Sequence, residues 1–144
     1  MIKIILPIQI LLLLVFTDLN AQNVEVIIKG IRSEKGQIVI SIFKDEPTYQ
    51  KEEPFLSKNF VKNGISNNEM KVQLSLEPGV YGLTLLDDEN MSNLMEYNFI
   101  GKPKEGFGFS DYYLQGFTKP KFDSFKFKIE PNHKQTMTIR IRYM

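Results

Sequence analysis

The chain has no cysteine and a single histidine, His133, among its 144 residues. Without cysteine it can form no disulfide, use no thiol nucleophile and carry no acylated-cysteine anchor. One histidine also leaves too few ligands for the usual zinc sites. A carboxylate pair such as Asp88 and Glu105 could serve a hydrolase, but solvated loop carboxylates are commoner than catalytic ones. We therefore expect a protein that is not an enzyme.

An excess of either charge is also lacking, because 18 basic and 17 acidic residues leave a net charge of +1. Such a balance gives no general attraction to nucleic acid or to anionic membranes. We expect no nucleic-acid partner. A glycan or a cell-envelope protein would have to be recognised by a local surface.

The N-terminus has the order of a secretory signal peptide: Lys3, an apolar stretch over 4–16, and a polar segment that ends at Ala21. The apolar stretch is about 13 residues long, whereas a membrane-spanning helix needs about 20. We expect 1–21 to be a signal peptide cleaved after Ala21, and 22–144 to be one domain. The mature protein is then periplasmic or secreted and has no membrane span.

Apolar residues beyond the leader alternate with polar ones, which is typical of half-buried strands. The alternating stretches lie at 23–32, 37–43, 70–76, 80–86, 124–129 and 137–143. The first two should form a hairpin, and Pro78 and Gly79 should form a tight reversal. The proline-containing stretch 44–57 predicts a surface excursion, with one helical turn at most.

No helical apolar stripe follows the leader. The predicted fold is all-β, a single antiparallel β-sandwich of about seven strands with immunoglobulin-like or transthyretin-like packing. A closed barrel is the alternative architecture.

An acidic segment has the spacing of a calcium-binding loop. Oxygen-bearing side chains occupy positions one, three, five and nine, namely Asp88, Asn90, Ser92 and Glu96. Asn93 replaces the usual glycine, and Phe99 stands where a bidentate glutamate belongs. We expect no obligatory cofactor, and we take these four residues as a tentative calcium site.

Aromatic residues cluster after this segment. Phe107, Phe109, Tyr112 and Tyr113 form a tentative ligand-binding set, and Phe117 follows them. Such residues can stack on a sugar or a partner protein, or they can fill the open end of a sandwich core. Both interpretations stay open at this point.

Four motifs in order resemble the bacterial secreted family called domain of unknown function 2141. They are the runs at 30–37, 76–81, 88–90 and 98–110, and they cover essentially the whole mature chain. The resemblance implies an exported β-sandwich and brings no established activity. The family's acidic loop typically reads Asp-x-Asn-Gly-Asn-Gly-x-x-Asp. Here Met91 and Asn93 stand at its glycines, and Glu96 stands at its last aspartate.

Our functional expectation is an exported, non-enzymatic binding or structural module of unknown ligand. The alternative is a calcium-stabilised carbohydrate-binding or adhesive domain that uses the acidic segment and the nearby aromatic residues.

Overall fold

The computed structural model describes residues 23–144, so the expected signal peptide and its cleavage site lie outside the described residues. No helix in 23–144 is long and apolar enough to cross a bilayer. The elements in chain order are β1 (Val24–Lys29), β2 (Gln37–Phe43), α1 (Glu46–Gln50), β3 (Leu56–Val61), β4 (Glu69–Leu74), β5 (Gly79–Asp88), β6 (Gly106–Phe109), a short 3-10 helix (Phe122–Ser124), β7 (Lys126–Ile129) and β8 (Gln135–Arg140).

The strands form two sheets that pack face to face. One sheet has the order β4-β1-β8, and the other has the order β3-β2-β5-β6 with β7 also paired to β5. Alternate residues of both sheets fill one buried core, for example Val26, Ile40, Leu83 and Ile139. The predicted all-β sandwich is therefore confirmed, with eight strands in the described part of the chain.

The two strands beyond the six alternating stretches carry weak sequence patterns. β3 lies at a sheet edge, and all of its residues are exposed except the half-buried Phe60. With no buried face, it has no reason to alternate. β6 is only Gly-Phe-Gly-Phe, and so short a glycine-containing run is also compatible with a backbone bend.

The expected hairpin of the first two strands is wrong. β1 pairs with β4 and β8, whereas β2 pairs with β3 and β5 in the other sheet. The connections β4 to β5 and β7 to β8 likewise cross from one sheet to the other. Alternation shows which side of a strand is buried, but it does not show which strand lies beside it.

β1 and β8 pair in parallel, from Val24 opposite Gln135 to Lys29 opposite Arg140. Every other strand pair in 23–144 is antiparallel. Parallel neighbours need a long connection, and here most of the domain lies between the two strands.

β6 closes one side of the sandwich because its inward positions are glycines. A Cβ at Gly106 would overlap Ile141 and Tyr143, and one at Gly108 would overlap Ile139. The close approach lets Phe107 and Arg142 exchange two backbone hydrogen bonds of 3.0 and 2.8 Å. The Phe side chains of β6 therefore point away from the core, to the outer face of the five-stranded sheet.

A buried ion pair joins Lys62 and Asp87, whose side chains are completely buried. Lys62 also donates to the backbone carbonyl of Ser33 at 2.9 Å, and the Tyr143 hydroxyl donates to Asp87. Burial, followed by the bond to Asp87, raises the pKa of Tyr143. Removing one partner of such a pair leaves an uncompensated charge in the interior, so these contacts fix the end of β5.

Gly36 should be intolerant of substitution. Its φ is +76°, and an added Cβ would overlap the backbone carbonyl of Asp88. Gly64 is the matched control, because it has a similar φ of +65° and no atom near an added Cβ. We expect Gly64→Ala to lower the free energy of unfolding by about 1 kcal/mol. Gly36→Ala should lower it by about 2–4 kcal/mol, because β5 must also move. Urea denaturation measures both, and equal losses would contradict the proposed close approach.

Candidate functional site

The outer face of the five-stranded sheet carries a second apolar cluster, separate from the sandwich core. Its buried members are aromatic: Phe43, Tyr49, Phe107, Phe109, Phe122 and Phe125. The rings pack edge to face or tilted, as in Tyr49 against Phe125 at 5.0 Å between centroids. An outer face of an antiparallel sheet is usually polar and solvated. This one is instead covered by additional segments.

Helix α1 and the 3-10 helix cover one end of that face. Asp45 caps α1 by accepting from the N–H of Thr48 at 2.9 Å, and this places Tyr49 against the cluster. Ser110 accepts from the N–H of Leu83 and donates to the carbonyl of Phe125, which ties the 3-10 segment to β5. Burial and the charges of Glu46 and Glu52 raise the pKa of Tyr49.

The rest of the face is an open groove of about 760 Å³. Its floor consists of outward-facing strand residues, namely Val39, Ser41, Thr84, Leu86, Phe107 and Phe109. The segments 93–103 and 114–120 form its two walls. This volume falls in the range of small-molecule sites, about 300–1,000 Å³, and such sites are mostly apolar with a few polar groups.

The mouth of the groove is apolar and exposed to solvent. Leu94, Tyr97 and Ile100 lie on one side of it, and Phe117 lies on the other with 77% of its surface exposed. Arg142 holds the second wall by donating to the carbonyls of Leu114 and Gly116 at 2.6 Å each. The exposed aromatic and aliphatic side chains are therefore carried on a wall that the fold fixes in place.

Lysine supplies the positive charge at the mouth. Lys102 is exposed on one wall, and Lys119 lies on the other. Lys119 sits 4.3 Å above the Tyr49 ring and 3.7 Å from the Glu52 carboxylate. The groove thus combines an apolar floor with one unpaired lysine, Lys102, and one lysine–glutamate pair at its rim.

The four predicted calcium ligands lie together in one loop, where N–H groups bind their oxygens. Asp88 is completely buried and accepts from the backbone N–H groups of Ser92 and Asn93 at 2.9 Å each, and from Gln37 at 2.7 Å. Asn90 accepts from the N–H of Ser92 and donates to Glu96 at 2.7 Å. Across residues 23–144, no three acidic or histidine side chains lie close enough to hold a metal ion.

The same network joins this loop to the groove. Asn93, at φ +61°, accepts from Gln37 at 3.0 Å and also from Asn59 at 2.6 Å. Asn59 and Asn93 both line the groove. Asp88 therefore organises one end of the groove wall through hydrogen bonds that need no cation.

The predicted aromatic set does not form one platform. Phe107 and Phe109 are buried and line the groove, while Tyr112 packs against Phe109. Tyr113 lies in a separate pocket, where the guanidinium carbon of Arg140 is 5.0 Å from the centroid of the Tyr113 ring. Phe107 and Phe109 thus complete the outer-face cluster, whereas Phe117 remains exposed.

Sequence reasoning missed Val39, Leu86 and the walls of the groove. One signal was available, because β2 reads Gln-Ile-Val-Ile-Ser-Ile-Phe, in which apolar residues occupy both faces. Such a run indicates a strand covered on both sides. The walls had no comparable signal, since they are loops held by side-chain hydrogen bonds.

These features define a β-sandwich with a ligand-sized groove on one outer face. The model of the family described as "Uncharacterized protein conserved in bacteria (DUF2141)" matches residues 26–138. The chain belongs to this family, which confirms the resemblance seen in its motifs. No curated protein and no solved structure shows significant similarity to it.

Asp88 should stabilise the fold equally with and without calcium. Asp88→Ala removes the acceptor of the Asn93 N–H, and it removes one of two acceptors from the Ser92 N–H and from the buried Gln37 amide. We expect a loss of about 2–3 kcal/mol in the free energy of unfolding. Ser92→Ala is the control, because its exposed hydroxyl bonds only within the loop, and it should cost less than about 1 kcal/mol. Thermal melting in a chelator and in millimolar calcium tests this. A calcium-dependent rise in melting temperature that Asp88→Ala abolishes would instead support the metal site.

Glu105 should make stability depend on pH. It is buried, and neither carboxylate oxygen has a hydrogen-bond partner of normal geometry in the described residues. Burial raises its pKa, the charge of Asp88 adds to the rise, and the amides of Asn90 and Glu89 partly offset it. As the pH rises above 4.5, the unfolded chain ionises first, so stability falls until the folded carboxyl has also ionised.

Glu105→Gln removes this loss. The melting temperature of the variant relative to the wild type should therefore be higher at pH 7 than at pH 4. Glu53→Gln, at an exposed position, provides the control for the substitution itself. A difference that is the same at both pH values would show that burial of the Glu105 charge does not limit stability.

Proposed function

We propose that this protein is an exported, non-enzymatic binding module whose outer-face groove holds an apolar or amphipathic small molecule. The observation that carries the proposal is the groove itself, about 760 Å³ of space between two held walls over an apolar sheet face. Its floor would be stabilised by removal from water, at roughly 25 cal/mol per Å² of apolar surface.

The polar groups of the groove favour a ligand with an anionic or hydrogen-bonding end. Lys102 lies at the rim without an ion pair in the described residues, and Lys119 lies there beside Glu52. Ser41, Ser57 and Asn59 provide hydrogen-bonding groups along the edge formed by β2 and β3. A few placed polar groups over an apolar floor orient a ligand and select it. We therefore favour a molecule with an apolar body and a negatively charged or polar end, such as a fatty acid.

Export to the periplasm or the cell exterior is part of this proposal. It rests on the charged, apolar and polar order of residues 1–21. The absence of cysteine suits either location, because folding then requires no disulfide. Mass spectrometry of the protein recovered from the producing cell would test it, and a chain that begins at Gln22 outside the cytoplasm is the expected result.

The alternative function, a calcium-stabilised carbohydrate-binding or adhesive domain, has less support. N–H groups engage the oxygens that calcium would need, as described for Asp88 and Asn90. Tyr112 and Tyr113 do not present neighbouring open faces to a sugar. Binding of glycans on an array, lost on removal of calcium, would favour this function over the groove.

Filling the groove should abolish binding. Ser41 faces the groove from the middle of β2, so Ser41→Phe places a ring in the ligand space and leaves the sandwich core untouched. Thr136→Phe, on the exposed face of β8, is the matched control. We expect the wild type and the control to bind a fluorescent fatty acid, and the Ser41→Phe variant to bind it about tenfold or more weakly. Equal binding by the two variants would rule out the groove as the site.

A further inference from the structure

The groove wall at 93–103 carries a tight turn at 98–101. This turn projects into solvent. The side chain of Asn98 accepts from the N–H groups of Ile100 and Lys102, at 3.0 Å each. The backbone of Asn98 also bonds to Lys102 and Gly101, at 2.8 and 3.0 Å. Below the turn, the N–H of Lys104 donates to the carbonyl of Glu96 at 2.8 Å. The turn is therefore a defined structure held by five hydrogen bonds.

The two residues at the tip are large, apolar and exposed. Phe99 is 99% exposed and Ile100 is 62% exposed. Met91, Leu94 and Tyr97 of the same loop are also more than half exposed. A contiguous group of exposed large apolar side chains marks an interaction surface, whereas single exposed residues do not.

The charge next to the tip is positive. Lys102 and Lys104 are exposed, and neither forms an ion pair among residues 23–144. Among the nearest carboxylates, Glu89 pairs with Arg32 at 2.6 Å and Glu105 is buried, while the half-buried Glu96 keeps its charge and accepts from Asn90. The two exposed lysines outnumber this one unpaired, partly exposed carboxylate. A local positive surface thus exists on a chain whose net charge is only +1.

We propose that this turn docks on a membrane that contains anionic lipid. Phe99 and Ile100 would enter the boundary between headgroups and acyl chains, and Lys102 and Lys104 would contact lipid phosphates. Aromatic and aliphatic side chains flanked by lysine have this amphipathic pattern at membrane surfaces. Basic groups next to an inserted segment strengthen binding to anionic lipid and make it sensitive to salt.

Charge favours the membrane over a second copy of this chain as the occupant. In a second copy, the groove is the large apolar recess of residues 23–144 that the tip could enter. The rim of that groove carries Lys102, together with Lys119 and its partner Glu52, and the tip carries Lys102 and Lys104, so an excess of positive charge would lie on both surfaces. An anionic lipid surface provides the opposite charge.

A tryptophan placed at the tip reports insertion directly, because the natural chain has no tryptophan. In Phe99→Trp, the indole should shift its emission to shorter wavelength when vesicles of phosphatidylglycerol and phosphatidylcholine are added. Brominated acyl chains should quench it. Vesicles of phosphatidylcholine alone should give a much smaller shift. An indole that stays in water with anionic vesicles would overturn the proposal.

Sedimentation with vesicles measures the contribution of the tip. The double variant Phe99→Ser with Ile100→Ser should bind anionic vesicles about tenfold or more weakly than the wild type. Val80→Ser is the matched control, because Val80 is an exposed apolar residue near the opposite end of β5 from the loop, and its binding should be unchanged. Because all variants share one N-terminus, any contribution of the leader cancels in the comparison. Equal binding by the tip variant would overturn the proposal.

A second pair of variants tests the lysines. Both variants lose two positive charges, so they have the same net charge. Lys102→Gln with Lys104→Gln should weaken binding and reduce its salt dependence. Lys58→Gln with Lys71→Gln removes the same charge from exposed positions on β3 and β4, and it should have little effect. Equal losses would indicate a general charge effect and overturn the assignment to this turn.

Self-association has a separate signature. If the tip enters a second copy, Phe99→Trp shifts its emission as protein concentration rises without vesicles, and Ser41→Phe removes the shift. That result would overturn membrane docking. The vesicle assays do not require a ligand in the groove, so membrane docking and the binding function can fail independently.

Discussion

β5 ends in two consecutive carboxylates, Asp87 and Asp88, that are both completely buried and point to opposite faces of the sheet. An ionised carboxylate in the interior must find partners, because its desolvation costs several kcal/mol. Asp87 finds Lys62 and Tyr143 on the core side, which ties the end of β3 and the C-terminal segment to β5. Asp88 finds Gln37 and two backbone amides on the outer side. The remainder of the candidate site depends on this pair.

Asp88, the outer member of the pair, determines the path of the loop that follows β5. Once Ser92 and Asn93 are bound to Asp88, the chain must leave the sheet over the outer face of β2, where Asn59 and Gln37 contact Asn93. The loop then returns to β6 through the paired segments around 96 and 104. It can therefore be a wall of the groove and carry a fixed turn at its tip, although it contains no regular strand or helix.

The sequence predicts the strands of this fold better than it predicts their neighbours. Alternation in β1, β4 and β8 reflects one buried face, and this is a local property. The pairing of β1 with β8 is parallel and distant in sequence, so no turn signal accompanies it. Among the candidate site residues, Asp88, Asn90 and Ser92 were identified by spacing, whereas Gln37, whose side chain donates to Asp88, was not. The groove depends on which loops lie over Val39 and Leu86, and that is decided by tertiary contacts.

The outer face favours the proposed binding function over a purely structural one. A sandwich needs one buried face per sheet, yet β2, β5 and β6 place Val39, Phe43, Leu86 and Phe107 on the other face. Helix α1 and the 3-10 helix cover only part of these side chains. Instead, Arg142 and Asp88 hold two walls apart over the remainder, and water must fill the space when no ligand does. Removing that water from apolar surface favours an occupant, and the exposed apolar rim extends the same surface to the turn where we place membrane contact.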